Sequence, residues 1–199
     1  LSGLSRAAVS SALNTLERDG LVERTRESDD RRLVTVRLSE ADADFGGARD
    51  KQVRFARYDI SIPAARSPGD IRWPRGANVD PAQDFVTRGV ETYGNAGGMT
   101  RAIAAELAAR PRAEREVVIF VHGYNTRFAE GLYRTAQLGH DFASRGVSLH
   151  YSWPSAAQPL NYAYDRDSVL FARRGLVDLI RMANAAGAER LVVVAHSLG

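Results

Sequence analysis

The sequence predicts an α/β fold in which parallel strands form one sheet with helices on both faces. Three observations predict it. Short apolar runs at 116–121 (EVVIFV), 147–152 (VSLHYS) and 191–195 (LVVVA) are separated by helical stretches long enough for right-handed crossovers. A glycine-bearing turn, His122-Gly123-Tyr124-Asn125, directly follows the first run. The last run leads into Ala195-His196-Ser197-Leu198-Gly199, which reads as a buried strand feeding a sharp bend with a serine at its tip.

Composition bounds the rest. With 199 residues, 44% of them hydrophobic, the chain suits one large domain or a domain with an appendage, and its composition is not that of a disordered segment. There is no apolar run of about 18 residues and no signal segment, so neither membrane association nor export is expected and the expected location is cytoplasmic. The absence of cysteine excludes disulfides, thiolate zinc sites and cysteine nucleophiles. No two histidines stand at metal-ligand spacing with carboxylates, and neither a metal nor a cofactor is expected. The net charge is only +3, and Lys51 is the single lysine. Arginine supplies the remaining positive charge, a bias that reads first as genome composition.

The chain reads as two pieces, 1–41 and 57–199, with 42–56 as a linker around Gly46-Gly47. In the first piece, Ser5 is a good N-cap for a helix over 6–19, Val9, Leu13 and Leu16 form its apolar stripe, and Gly20 stops it. Residues 21–25 and 33–38 then alternate like the strands of a hairpin around a charged tip at 26–32. Helix, strand, charged loop, strand is a winged-helix layout.

In the second piece, 58–62 is a short strand ended by Pro63. Residues 64–84 form a loop containing Pro68, Pro74 and Pro81, and 85–87 is another short strand. Alanine-rich 100–110 is helical, 116–121 is a buried strand, and 128–144 is a helix with Phe128, Leu132, Gly139 and Phe142 on one face. The strand at 147–152 is closed by Trp153-Pro154. A long helix over 165–186 carries Val169, Leu176, Leu179 and Ile180, and 191–195 is the last strand.

Both glycine-bearing turns follow the carboxyl ends of strands, where open α/β sheets place their sites. Acyl transfer needs a nucleophile and donors for the developing oxyanion. Ser197 is the candidate nucleophile. The candidate donors are the backbone N–H groups of Leu198 and Tyr124, with Gly123 permitting the tight turn. His122, Asn125, His196 and Gly199 shape the two turns, while His140 and His150 are expected to be structural.

Two resemblances follow from these residues. The stretch LSRAAVSSALNTLERDGLVERTRESDDRRLVTVRLSEA resembles the second half of a MarR-type winged-helix DNA-binding domain. It implies that Arg6, Ala7, Ser11 and Asn14 face the major groove, and that Arg31 or Arg32 reaches the minor groove or a phosphate. Seven arginines over 1–41 meet seven acidic residues, so any attraction to DNA is local. The family's earlier helices and its dimerisation helices are not among these residues. The segments RYDISIP, EVVIFVHGYNTRF, RTAQLGHDF, YSWPS, NYAYDRDSV and AERLVVVAHSLG, spanning about 57–199, resemble an α/β-hydrolase family of unassigned function related to esterases and lipases. That resemblance implies the hydrolase fold, Ser197 as nucleophile, the His122–Asn125 turn as oxyanion loop, and a small ester or acyl substrate.

In this fold the acid and the histidine follow the serine, so Asp165, which precedes it, is read as structural. The leading reading is therefore a serine hydrolase fragment, cut before its triad is complete, with 191–195 as an unpaired strand edge and no esterase turnover of its own. The alternatives are a MarR-type transcriptional regulator with DNA as partner, or a non-functional join of two gene fragments. Substrate identity and oligomeric state are not legible.

Overall fold

Three strands of alternating or continuous apolar character set the centre of the sheet, and helices with matching stripes cover it. The computed structural model describes residues 33–40, 53–74, 79–158 and 160–199. Its elements run β1 (Leu33–Glu40), β2 (Val53–Ser61), β3 (Val86–Tyr93), α1 (Ala96–Ala108), a 3₁₀ turn (Arg112–Glu114), β4 (Glu116–Val121), α2 (Phe128–Asp141), β5 (Val147–Ser152), α3 (Tyr162–Ala185) and β6 (Arg190–Ala195). The strands form one sheet in the order β3-β2-β1-β5-β4-β6. β1, β5, β4 and β6 pair in parallel, whereas β2 and β3 extend the sheet antiparallel.

Strand alternation divides the core into two layers. Val117, Ile119 and Val121 of β4 and Val147, Leu149 and Tyr151 of β5 face one side. There they meet Met99, Ile103 and Leu107 of α1 and Ala172, Leu179, Met182 and Ala183 of α3. On the other side α2 lays Phe128, Leu132, Tyr133 and Ala136 against Ala56, Tyr58 and Ile60 of β2 and the buried ring of Phe85. Fully burying one such aliphatic side chain contributes about 1.5–3 kcal/mol, so both layers are needed to hold the sheet.

Local chemistry sets the helix ends. The Asn95 side chain accepts the Gly98 N–H at 3.0 Å and caps α1. The Glu130 carboxylate accepts the Arg127 N–H at 2.8 Å at the start of α2. The apolar stripe of α3 passes close to the sheet at Gly175, where a Cβ would lie 2.6 Å from the Tyr151 hydroxyl. That hydroxyl donates to the Ala172 carbonyl.

Three expectations are corrected. Residues 33–38 are expected as the second strand of a wing hairpin. Instead β1 sits inside the six-stranded sheet with both edges taken, antiparallel to β2 (Leu33↔Ile60 to Glu40↔Val53) and parallel to β5 (Thr35↔Ser148 to Ser39↔Ser152). An alternating β-branched run fits any ladder, and tertiary contacts choose which one. The other proposed wing strand, 21–25, and the helix at 6–19 lie outside the described residues. Second, residues 53–56, assigned to the linker, begin β2. Third, the short strand expected at 85–87 runs through Val86–Tyr93, because its exposed polar positions disguise a strand that pairs with β2 alone among the described strands.

Candidate active site

The site is built where two parallel strands end level with each other. Val121 of β4 pairs with Ala195 of β6, so the turns that follow them are neighbours. The His196 N–H still donates to the Val121 carbonyl at 3.1 Å. The chain then reverses, with the Gly199 N–H donating to the His196 carbonyl at 2.9 Å. Between them Ser197 adopts φ +56°, the left-handed region that costs an L-residue roughly 1–2 kcal/mol. Its side chain is exposed, while Leu198 packs on the core beneath and anchors the bend.

Close approach explains the glycines on either side of this bend. A Cβ on Gly123 would lie 2.6 Å from His196 Nδ1, 2.7 Å from the His196 carbonyl and 2.8 Å from Ser197 Cβ. A Cβ on Gly199 would lie 2.8 Å from the Val121 carbonyl oxygen. The turn after β4 therefore lies directly against the serine bend, and only bare backbone fits between them.

The turn after β4 is in turn tied to the loop after β5. His122 is buried and stacks on Trp153 with ring centroids 4.5 Å apart and planes at 16°. Its Nδ1 donates to the Gly123 carbonyl at 3.0 Å, and its Nε2 faces the Trp153 backbone, 3.1 Å from the N–H and 2.9 Å from the carbonyl. The Trp153 indole N–H donates to the His122 carbonyl at 2.7 Å. Both ring nitrogens thus meet backbone, which makes His122 a strut between turns. Tyr124 packs edge-on against Tyr162 at 5.3 Å, and its hydroxyl donates to the Gln158 carbonyl at 3.4 Å. Asn125, at φ +52°, donates its N–H to the Asp165 carboxylate at 3.1 Å.

Ser197, Leu198, Gly199, His196, His122, Gly123, Tyr124 and Asn125 are thus gathered at one end of the sheet. Sequence reasoning did not single out Asp165, Ser155, Gln158 or Tyr162 as part of this neighbourhood. The run NYAYDRDSV was noticed only as a family signature, and nothing in its spacing shows that Asp165 reaches back to the β4 turn. The ring of His150 lies inside the α2 layer, 5.7 Å from Phe128 and 6.2 Å from Phe120. His140 is exposed beside Asp141 at the far end of α2. Arg6, Ala7, Ser11, Asn14, Arg31 and Arg32 lie outside the described residues. Among the described residues no group of three or more His, Cys, Asp or Glu side chains could hold a metal ion, and no helix is long and apolar enough to cross a membrane.

A sheet whose four strands β1, β5, β4 and β6 run parallel, covered on both faces and ending in a serine bend against a His-Gly turn, has the architecture of an α/β-hydrolase-type protein. Residues 99–199 match the model of a family described as alpha/beta hydrolase of unknown function, and the chain belongs to that family. Residues 1–33 match a model of the MarR family, ending where β1 begins. No curated protein and no solved structure matches the chain.

Proposed function

We propose that this chain carries the nucleophile and oxyanion side of a serine hydrolase that acts on a small ester or acyl substrate. The observation that carries the reading is Ser197 itself: exposed, at φ +56°, with its Cβ against Gly123. A serine hydroxyl held outward on such a bend is placed to attack a carbonyl, and the adjoining turns offer the N–H groups of Leu198 and Tyr124 to the oxyanion. His122, Gly123, Asn125, His196 and Gly199 shape the two turns. The acid and the proton-shuttling histidine follow the nucleophile in chain order, so neither role goes to Asp165, His122, His140 or His150.

The test is labelling of the intact natural protein with a serine-reactive fluorophosphonate. Ser197 is expected to carry the label, and Ser197→Ala to lose it together with ester turnover. Equal labelling of parent and variant removes the hydrolase reading.

A second reading rests on the MarR-family match over residues 1–33. In it the N-terminal segment contacts DNA in the cytoplasm through Arg6, Ala7, Ser11 and Asn14, with Arg31 and Arg32 on the backbone or minor groove. A gel-shift titration at fixed salt distinguishes it. Arg31→Ala/Arg32→Ala should weaken the complex, and an unchanged shift argues against it.

A further inference from the structure

A carboxylate that the serine chemistry does not use holds the site's framework together. Asp165 lies in the first turn of α3 and is completely buried. Its Oδ2 accepts the Asn125 N–H at 3.1 Å and the Ser155 hydroxyl at 2.7 Å, and its Oδ1 accepts the Ala156 N–H at 2.7 Å. These donors come from two different loops, the turn after β4 and the loop after β5. A buried carboxylate must be satisfied by hydrogen bonds, and hydrogen bonds to a charged acceptor are stronger than neutral ones. The N-terminal turn of α3 favours negative charge as well. Ser155 spans one more link, its hydroxyl oxygen accepting the Ala157 N–H at 3.1 Å.

We infer that Asp165 is a positioning residue, a clamp that fixes the orientation of the 122–127 turn relative to the Ser197 bend. The clamp takes up the Asn125 N–H, and the oxyanion donor proposed from the same turn is the amide that precedes it, that of Tyr124. The inference rests on the hydrolase reading for its catalytic consequence and on the hydrogen bonds alone for the clamp.

The experiment pairs hydrogen exchange with kinetics on the intact natural protein. Asp165→Asn keeps the shape and removes part of the acceptor capacity. It should speed exchange of the Asn125 and Ala156 amides by about tenfold or more, while amides of β4 stay protected. With a p-nitrophenyl ester it should lower kcat on the order of 10- to 100-fold with KM nearly unchanged, because the donor acts on charge that develops only in the transition state. Leu179→Ala, a core change in the same helix, controls for stability and should keep kcat wherever the variant is folded. An equal fall in kcat for Leu179→Ala overturns the positioning role, and parental exchange at both amides in Asp165→Asn overturns the clamp. If Asp165→Asn does not fold, Ser155→Ala takes its place, and unchanged exchange over 155–157 overturns the clamp. Faster exchange in Asp165→Asn with no Ser197-dependent turnover in the parent keeps the clamp and rejects the hydrolase reading.

Discussion

Gly123 carries the tightest constraint at the residue scale. Its missing side chain is what allows the β4 turn and the serine bend to touch, and the atoms a Cβ would meet include the His196 carbonyl, which cannot swing aside as a side-chain tip can. Gly123→Ala must therefore push the two turns apart. Displacing an oxyanion donor costs about 10²–10³ in kcat, and a loss of that order is the expected outcome. On the proposed hydrolase reading, ester turnover of the intact natural protein, measured beside thermal melting, checks it. Parental turnover would mean that the spacing of the turns does not matter to the chemistry.

At the scale of elements, α2 is fastened at its carboxyl end to the loop that precedes β3. The Asp141 side chain is 3% exposed and receives Arg66, the Gly69 N–H at 2.6 Å and the Gln137 amide, with His140 Nδ1 at 3.4 Å. Burial alone would raise its carboxyl pKa, but the His140, Arg66, Gly69 and Gln137 contacts outweigh burial and lower it from 3.8 to about 2. A depressed carboxyl contributes stability that is present above its unfolded value. That contribution, on the order of 2 kcal/mol, is lost as pH falls from 3.8 towards about 2. Urea titrations across that range should show a falling midpoint in the parent and a shallower fall in Asp141→Asn, which should also be less stable at neutral pH. Parallel slopes for the two proteins would show that the pinning is not coupled to protonation. The same loop brings Trp73 onto Tyr133, with ring centroids 4.9 Å apart, so loosening it also uncovers the α2 layer.

At the scale of the whole molecule, β6 stands last in the sheet order among the described residues. That strand pairs with β4 alone among the described strands, and its Val192, Val193 and Val194 are 37%, 42% and 38% exposed. Exposed, uncharged valines on a strand edge are a template for pairing with another chain. This 199-residue polypeptide is therefore expected to self-associate, and Val193→Lys to shift it towards monomer. Sedimentation at matched concentration reads the outcome. Identical distributions for parent and variant would place the association elsewhere.

Legibility followed the range of the physics involved. Strands β4 and β5, the helix between them and the two glycine-bearing turns were readable because each is encoded by a contiguous pattern: apolar runs, a 3.6-residue stripe, a glycine beside a strand end. Val86–Tyr93 was read too short because an edge strand with exposed polar positions carries little apolar signal, and Val53–Ser61 because Arg54, Arg57 and Asp59 interrupt its apolar run. The destination of Leu33–Glu40 was misread for a different reason. Its alternation announced a strand, yet a ladder is chosen by whichever edges the rest of the chain leaves open.

What the sequence by itself determined was the α/β class, the parallel strand-helix rhythm and the place of the serine bend after the last strand. These depend on neighbours a few residues apart. Only the tertiary structure decided that β1 joins the hydrolase sheet, that Gly123 and Ser197 share one contact, and that Asp165 ties two loops from 40 and 10 residues away. Those outcomes are set by which buried donors and strand edges must be satisfied once the chain has closed on itself, and no local pattern encodes that.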